Sequence, residues 1–352
     1  MRTAERLLIE ALGDMPAGSL LCTSLGRGQF AAAAAQNRPE RATCCWFLDL
    51  YARDQAESLH AEHPANLQFE CSADFPEEEV DLVVLPVGAS GDSELVRDLL
   101  QSGHVRLKIG GAMFAATDNR SDSWLHDELR KLFAKVTRRP LKHGTLFSAT
   151  KTEPLRKLKN YECQFPFRDE GRLIQAISRA GVFSHRRVDG GARALLKSVV
   201  IRPGNRVLEL GCGSGVVSLG AALRAEGVRV HAIDSNARAV ECTRRGAGLN
   251  GISNLTVELS TAEQDKKGQR ADGITDGAFD LAFGNPPYYS NFRIAEIFAR
   301  RAAQALKPGG TALFVTKRTE WYEEQLPALF ASLSIEAVGN YHVVRCQKQA
   351  NG

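Results

Sequence analysis

Asn285-Pro286-Pro287-Tyr288 follows the strand pattern Phe279–Phe283 after a single glycine, Gly284. Two successive prolines forbid helix and remove two backbone donors, so the run must stop on a rigid turn. A carboxamide offers an acceptor oxygen and two donor hydrogens. At the end of a strand, the Asn285 oxygen and the Pro286 carbonyl can accept from the same NH2 group and turn the lone pair of a weakly nucleophilic amine toward an electrophile. That is catalysis by positioning, with no strong general base required. Pro287 stiffens the turn, and Tyr288 offers a face on which a flat base or amide can stack.

A second constellation lies upstream. Glycines at 211, 213 and 215 follow Glu209 in ELGCGSG. This GxGxG spacing differs from the GxGxxG fingerprint that seats a pyrophosphate at a helix N-terminus. An acid beside the turn repels a phosphate but suits the amino acid portion of S-adenosylmethionine. Asp234 ends the next strand pattern, where an acid can accept from both ribose hydroxyls. The competing role is N-cap of the helix beginning near Asn236. In VELSTAEQD, Thr261 and Ala262, with Glu263, lie near a strand end and are candidates for the adenine contact.

These residues need strands to carry them. NRVLELGCGSGVVSLGAALRAEG reads as strand, glycine turn and helix, VRVHAID as a second strand, and FDLAFGNPPYY, RIAEIFARRAAQAL and TALFVT as strand, amphipathic helix and strand. Alternating strand and helix predicts an α/β, doubly wound (Rossmann-like) sheet.

The first half repeats the rhythm. In GSLLCTSLGRGQFAAAAA and TCCWFLDLY, Asp49 follows Gly26 by the spacing that separates Asp234 from Gly211; VDLVVLPVG and LKIGGAMFAAT likewise match FDLAFGNPP and LKPGGTALFVT. Such internal self-similarity indicates a duplication. The first copy reads as degenerate, because TSLGRGQ lacks the acid and one glycine, and LPVG replaces NPPY. Two such domains in tandem are expected, at 1–155 and 156–352, the second catalytic.

Composition narrows the function. The 352 residues are 43% hydrophobic and 24% charged, as in a globular protein, and no apolar run approaches the roughly 20 residues of a membrane span. The N-terminal segment reads as an amphipathic helix without a signal peptide's apolar core, so a cytoplasmic protein is expected. Eight scattered cysteines show no CxxC spacing and suggest neither metal nor disulfides. Residues 1–150 hold 16 basic and 21 acidic residues (net −5), and 151–352 hold 29 and 20 (net +9). The second half is the candidate for an anionic partner. Arg179, Arg186, Arg187, Arg193 and Lys197, with Lys151, Arg156, Lys157 and Lys159, could meet phosphates.

Together, LELGCGSG, AIDSN and NPPY resemble class I S-adenosylmethionine-dependent methyltransferases that modify amines. GVFSHRRVDGGARALL, NPPYYSNF and NYHVVRCQK resemble the small-domain methyltransferase family, and within it the two-copy ribosomal RNA guanine-N2 methyltransferases; the resemblance covers about residues 160–350. It implies S-adenosylmethionine as cofactor, with Glu209, Gly211, Gly213 and Gly215 around its methionine part and Asp234 at its ribose. It further implies Asn285, Pro286, Pro287 and Tyr288 at the target amine and ribosomal RNA or a ribosomal subunit as partner, without metal or membrane; a monomer is expected. Asp189 falls in the segment that the family places near the cofactor, with helix N-cap as its alternative. Guanine-N2 members commonly carry NPPF followed by His, whereas Tyr288 and Tyr289 stand here. NPPY also occurs in adenine-N6 and protein-glutamine methyltransferases. Those activities, a small-molecule amine substrate and a non-catalytic RNA-binding assembly factor remain the alternatives.

Overall fold

The computed structural model describes residues 1–88, 92–263, 273–287 and 292–350. The chain divides into two compact units, Met1–Tyr161 and Glu162–Gly352, rather than at 155. The side chain of Gln101 explains the difference: it bonds both the N–H (2.8 Å) and the carbonyl (2.9 Å) of Lys159, which ties the basic segment to the first unit.

In the first unit the elements are α1 (Thr3–Glu10), β1 (Leu20–Thr23), α2 (Gln29–Asn37), β2 (Thr43–Phe47), α3 (Leu50–Leu59) and β3 (Leu67–Cys71), then β4 (Val80–Val87), α4 (Ser93–Arg106), β5 (Leu107–Thr117), α5 (Trp124–Arg130), β6 (Val136–Leu141) and β7 (Gly144–Thr150). The second opens with a hairpin, β8 (Glu162–Asp169) and β9 (Arg172–Arg179). It continues through α6 (Gly190–Ser198), β10 (Arg206–Leu210), α7 (Val216–Leu223), β11 (Arg229–Asp234), α8 (Ala237–Leu249) and β12 (Leu255–Leu259). It ends with β13 (Phe279–Gly284), α9 (Arg293–Ala305), β14 (Leu306–Thr316), α10 (Glu320–Gln325), β15 (Ser332–Val338) and β16 (Tyr341–Gln347). Each unit holds a seven-stranded sheet, ordered β3-β2-β1-β4-β5-β7-β6 in the first and β12-β11-β10-β13-β14-β16-β15 in the second. Five strands of each are parallel; β7 and β16 run antiparallel to them, and the edge strands β6 and β15, antiparallel to those, point the same way as the five. This is the tandem doubly wound architecture expected.

Strands covered on both faces must be apolar throughout. Val207, Leu208, Leu210, Ala282 and Phe283 are accordingly buried in the middle of the second sheet. Burying each large aliphatic or aromatic side chain stabilises the fold by roughly 1.5–3 kcal/mol. α7, VVSLGAAL, is nearly all buried, and its Gly220 lets it lie close to α6, since a Cβ there would come within 3.0 Å of Leu196.

The duplication extends to individual bonds. Lys108 pairs with Asp81 at 2.9 Å and Lys307 with Asp280 at 2.7 Å. Lys151 donates to the carbonyl of Leu107, and Lys348 to that of Leu306. The register slips at the same place in both sheets, between Val80 and Leu82 and between Phe279 and Leu281. Strand pairing also corrects one equivalence drawn from spacing. Cys22 faces Cys45 and Val84 as Glu209 faces Ala232 and Phe283. The counterpart of Asp234 is therefore Phe47, and Asp49 corresponds to Asn236, each capping its helix. The first unit thus places Cys22, Phe47 and Pro86 where the second has Glu209, Asp234 and Asn285. It also fills its own turn: a Cβ on Gly28 would lie 2.7 Å from the ring of Phe69, and Phe69 packs against Phe47, His60 and His63.

Candidate active site

Along the second sheet the order of connection reverses between β10 and β13, and ligands of doubly wound folds bind outside the carboxyl ends of strands at such a switch point. Glu209 lies in β10, Asp234 ends β11 and Asn285 follows β13. The sheet therefore brings all three to one edge, although Glu209 and Asn285 lie 76 positions apart in sequence.

The glycine turn is held from β11. Gly211 and Cys212 N–H both donate to the Ile233 carbonyl, at 2.9 and 3.0 Å. Asp234 accepts from Gly213 N–H with one oxygen and from Asn236 N–H with the other, each at 2.8 Å. The helix cap belongs to Asn236, whose side chain accepts from Arg238 and Ala239 N–H. Asp234 is therefore not the cap, and its carboxylate is aimed across the turn.

Glu209 is buried and accepts a hydrogen bond from the Ser218 hydroxyl of α7. Burial pushes its pKa up to about 8, and the Ser218 bond works against that shift. Ser218 escaped the sequence reading because a serine inside an apolar helix carries no signal until its partner is known.

Asn285 donates its NH2 to the Asp189 carboxylate at 2.9 Å. A carboxylate only accepts, so the amide orientation is fixed and Oδ1 is turned to the other side. Asp189 also caps α6 by accepting from Ala192 N–H at 3.1 Å, which is the N-cap role open in the sequence, and its further contact is the Asn285 amide. Gly191 allows the arrangement: a Cβ there would lie 3.0 Å from Asn285 Oδ1 and 2.7 Å from Asp189 Oδ2. Pro286 is buried and Pro287 half-buried. Tyr288 and Tyr289 lie outside the described residues.

Thr261 and Ala262 stand beside the end of β11, where Ser260 N–H donates to the Asp234 carbonyl at 2.9 Å. Ala262 has a left-handed backbone (φ 63°), and its methyl is buried with Leu210 and Ile233, so what it can offer a ligand is backbone. The connection 260–278 from β12 to β13 is longer than its counterpart 72–79.

Two of the basic residues marked for phosphates serve the fold instead. Arg179 pairs with Glu241 at 2.5 Å, and buried Lys151 donates to the carbonyls of Val105 and Leu107. Arg186, Arg187, Arg193, Lys197, Arg156, Lys157 and Lys159 are exposed.

The methyltransferase small domain matches residues 174–345. The "Ribosomal RNA small subunit methyltransferase C" of Shewanella sediminis is 29% identical over 197 residues, 54% of this chain and 52% of that protein. That of Pseudomonas aeruginosa strain LESB58 is 36% identical over 145 residues, 39% of this chain and 40% of that protein. These matches span about half the length of the relatives or less. The protein of the same name from Pseudoalteromonas atlantica aligns over 328 residues at 21% identity, 90% of this chain and 91% of that one. Among solved structures, the T. thermophilus 16S rRNA N2 G1207 methyltransferase, in complex with AdoMet and guanosine, superposes with a TM-score of 0.80 at 21% identity, over 99% of this chain and 92% of that one. That likeness covers both units. Residues 174–345, which carry the glycine turn, Asp234 and Asn285, are thus the part of the chain that resembles the methyltransferase small domain.

Proposed function

We propose that the second unit transfers the methyl group of S-adenosylmethionine to an exocyclic amine of ribosomal RNA, guanine N2 in the small subunit. The observation that carries this is the Asn285 amide, held through its NH2 by Asp189, which in this reading leaves Oδ1 to accept from the incoming amine. Both the shared name of the sequence relatives and the guanosine held by the superposable structure favour guanine over adenine or glutamine. Glu209 and the glycine turn receive the methionine part of the cofactor, Asp234 the ribose, and the strand end at Thr261 and Ala262 the adenine. One cofactor binds per chain, because Cys22, Phe47 and Phe69 occupy the corresponding place in the first unit. The chain acts in the cytoplasm, as a monomer and without a metal. The test is methyl-tritiated S-adenosylmethionine with unmethylated small-subunit RNA and a protein extract. Label in the RNA is the expected result; label confined to protein, or to neither, contradicts it.

Glu209 gives the reading a pH signature. Its folded pKa of about 8 lies above the ordinary carboxyl value of 4.5. The proton it retains favours the fold fully below pH 4.5, and that contribution is lost as pH rises through about 8. A cationic ammonium or sulfonium beside it favours the ionised form. Cofactor binding at pH 7 is therefore expected to release a proton and to tighten as pH rises toward 8. Calorimetry in two buffers of different ionisation enthalpy reads this directly, and Glu209→Gln is expected to abolish the proton release. Equal apparent enthalpies for the unaltered chain in both buffers would contradict the assignment.

A further inference from the structure

A second feature borders the amide. Lys317 follows the last residue of β14, in a turn where the Thr316 hydroxyl bonds both N–H and carbonyl of Arg318. Its ammonium lies 5.1 Å from the centre of the Tyr341 ring. Tyr341 opens β16 and presses on the start of α6, where a Cβ on Gly190 would lie 2.6 Å from its Cε2. Gly190 adjoins Asp189, which holds Asn285, so Lys317, Tyr341, α6 and the acceptor amide form one continuous edge. Arg187 lies two residues before Asp189 on the same approach to α6, exposed, in a turn where its N–H donates to the Ser184 carbonyl at 3.3 Å.

Both cations are exposed, and neither makes an ion pair among the described residues. Elsewhere in the unit, Arg179, Arg224, Arg301 and Lys307 are each engaged with an acid. A cation over an aromatic face is held in place without being neutralised.

The first unit supplies an internal control. The same turn forms there, with Asn119 N–H donating to Thr117 Oγ1 at 3.4 Å, and strand pairing equates Lys317 with Asp118 and Tyr341 with Gly144. Pro86 stands for Asn285. Three positions on three strand ends differ together, with the cation inverted to an acid in the unit that lacks the amide. A charge placed only for solubility has no reason to follow the amide in this way.

We propose that Lys317 and Arg187, with Tyr341 as the platform of the lysine, form a phosphate-binding rim that seats the backbone of the target nucleotide so that its base reaches Asn285. The proposal rests on RNA being the substrate. Each phosphate neutralised on a single strand contributes about −0.7 to the slope of log affinity against log salt. In the full-length chain, Lys317→Ala with Arg187→Ala is expected to raise KM for unmethylated small-subunit RNA about tenfold and to flatten that slope by about 1.4. S-adenosylmethionine affinity should stay within about twofold. Lys317→Asp should act in the same direction as the double change, and Lys317→Arg should restore KM. Unchanged KM and slope, or a parallel loss of cofactor affinity, would overturn the rim while RNA labelling by the unaltered chain still stood. No labelling of RNA by the unaltered chain would overturn both.

Discussion

Asn285→Ala lowers methyl transfer by about a hundred- to a thousandfold and leaves S-adenosylmethionine affinity within about twofold: this is the expected result if the amide acts on the amine alone. The magnitude is that of removing one preorganised hydrogen-bonding group from a reacting centre, with some added loss from a freely rotating amine. The asymmetry follows from geometry. Asn285 is bonded to Asp189 and lies over Gly191, whereas the turn and Asp234 are bonded to each other and to β11. Truncating the amide leaves that second set of bonds intact. Single-turnover transfer paired with calorimetry separates the two, and a cofactor affinity that falls in step with the rate would place Asn285 at the cofactor instead.

Asp234→Ala is expected to do the converse. Two hydrogen bonds from ribose hydroxyls to a charged acceptor contribute about 3 kcal/mol at the low end, equivalent to roughly a hundredfold in affinity. Helix α8 should survive, since its cap is Asn236. The bonds to Gly213 and Asn236 N–H are also lost, so some fall in melting temperature accompanies the change. The deciding readout is cofactor affinity measured well below the melting transition. Unchanged affinity with a lowered melting temperature would make Asp234 a brace of the turn and nothing more.

Much of the frame could be read from the residues. Apolar strands ending at glycine and proline turns, and repeated spacings in the first half, are local patterns, and they suffice for two doubly wound sheets in tandem. Equivalences between the copies were less accessible. Spacing matched Asp49 to Asp234, but the shared interval is kept equally well when the frame moves by two residues, and only the pairing of β2 with β1 shows that Phe47 holds that place. Residue types could name Asp189 and Asn285 but not their contact, since they lie 96 positions apart. Nor could charge counting separate Lys151 and Arg179, held by carbonyls and by Glu241, from the exposed Arg187 and Lys317. That distinction depends on which neighbours the fold supplies.

The identity of the methylated amine is the most direct test of the central claim. Small-subunit RNA from a strain lacking this chain, incubated with the full-length protein and labelled S-adenosylmethionine, should be digested to nucleosides and resolved by mass. N2-methylguanosine as the single new nucleoside, absent with Asn285→Ala, is the expected outcome. N6-methyladenosine, or an RNA without label beside a labelled protein, would contradict it.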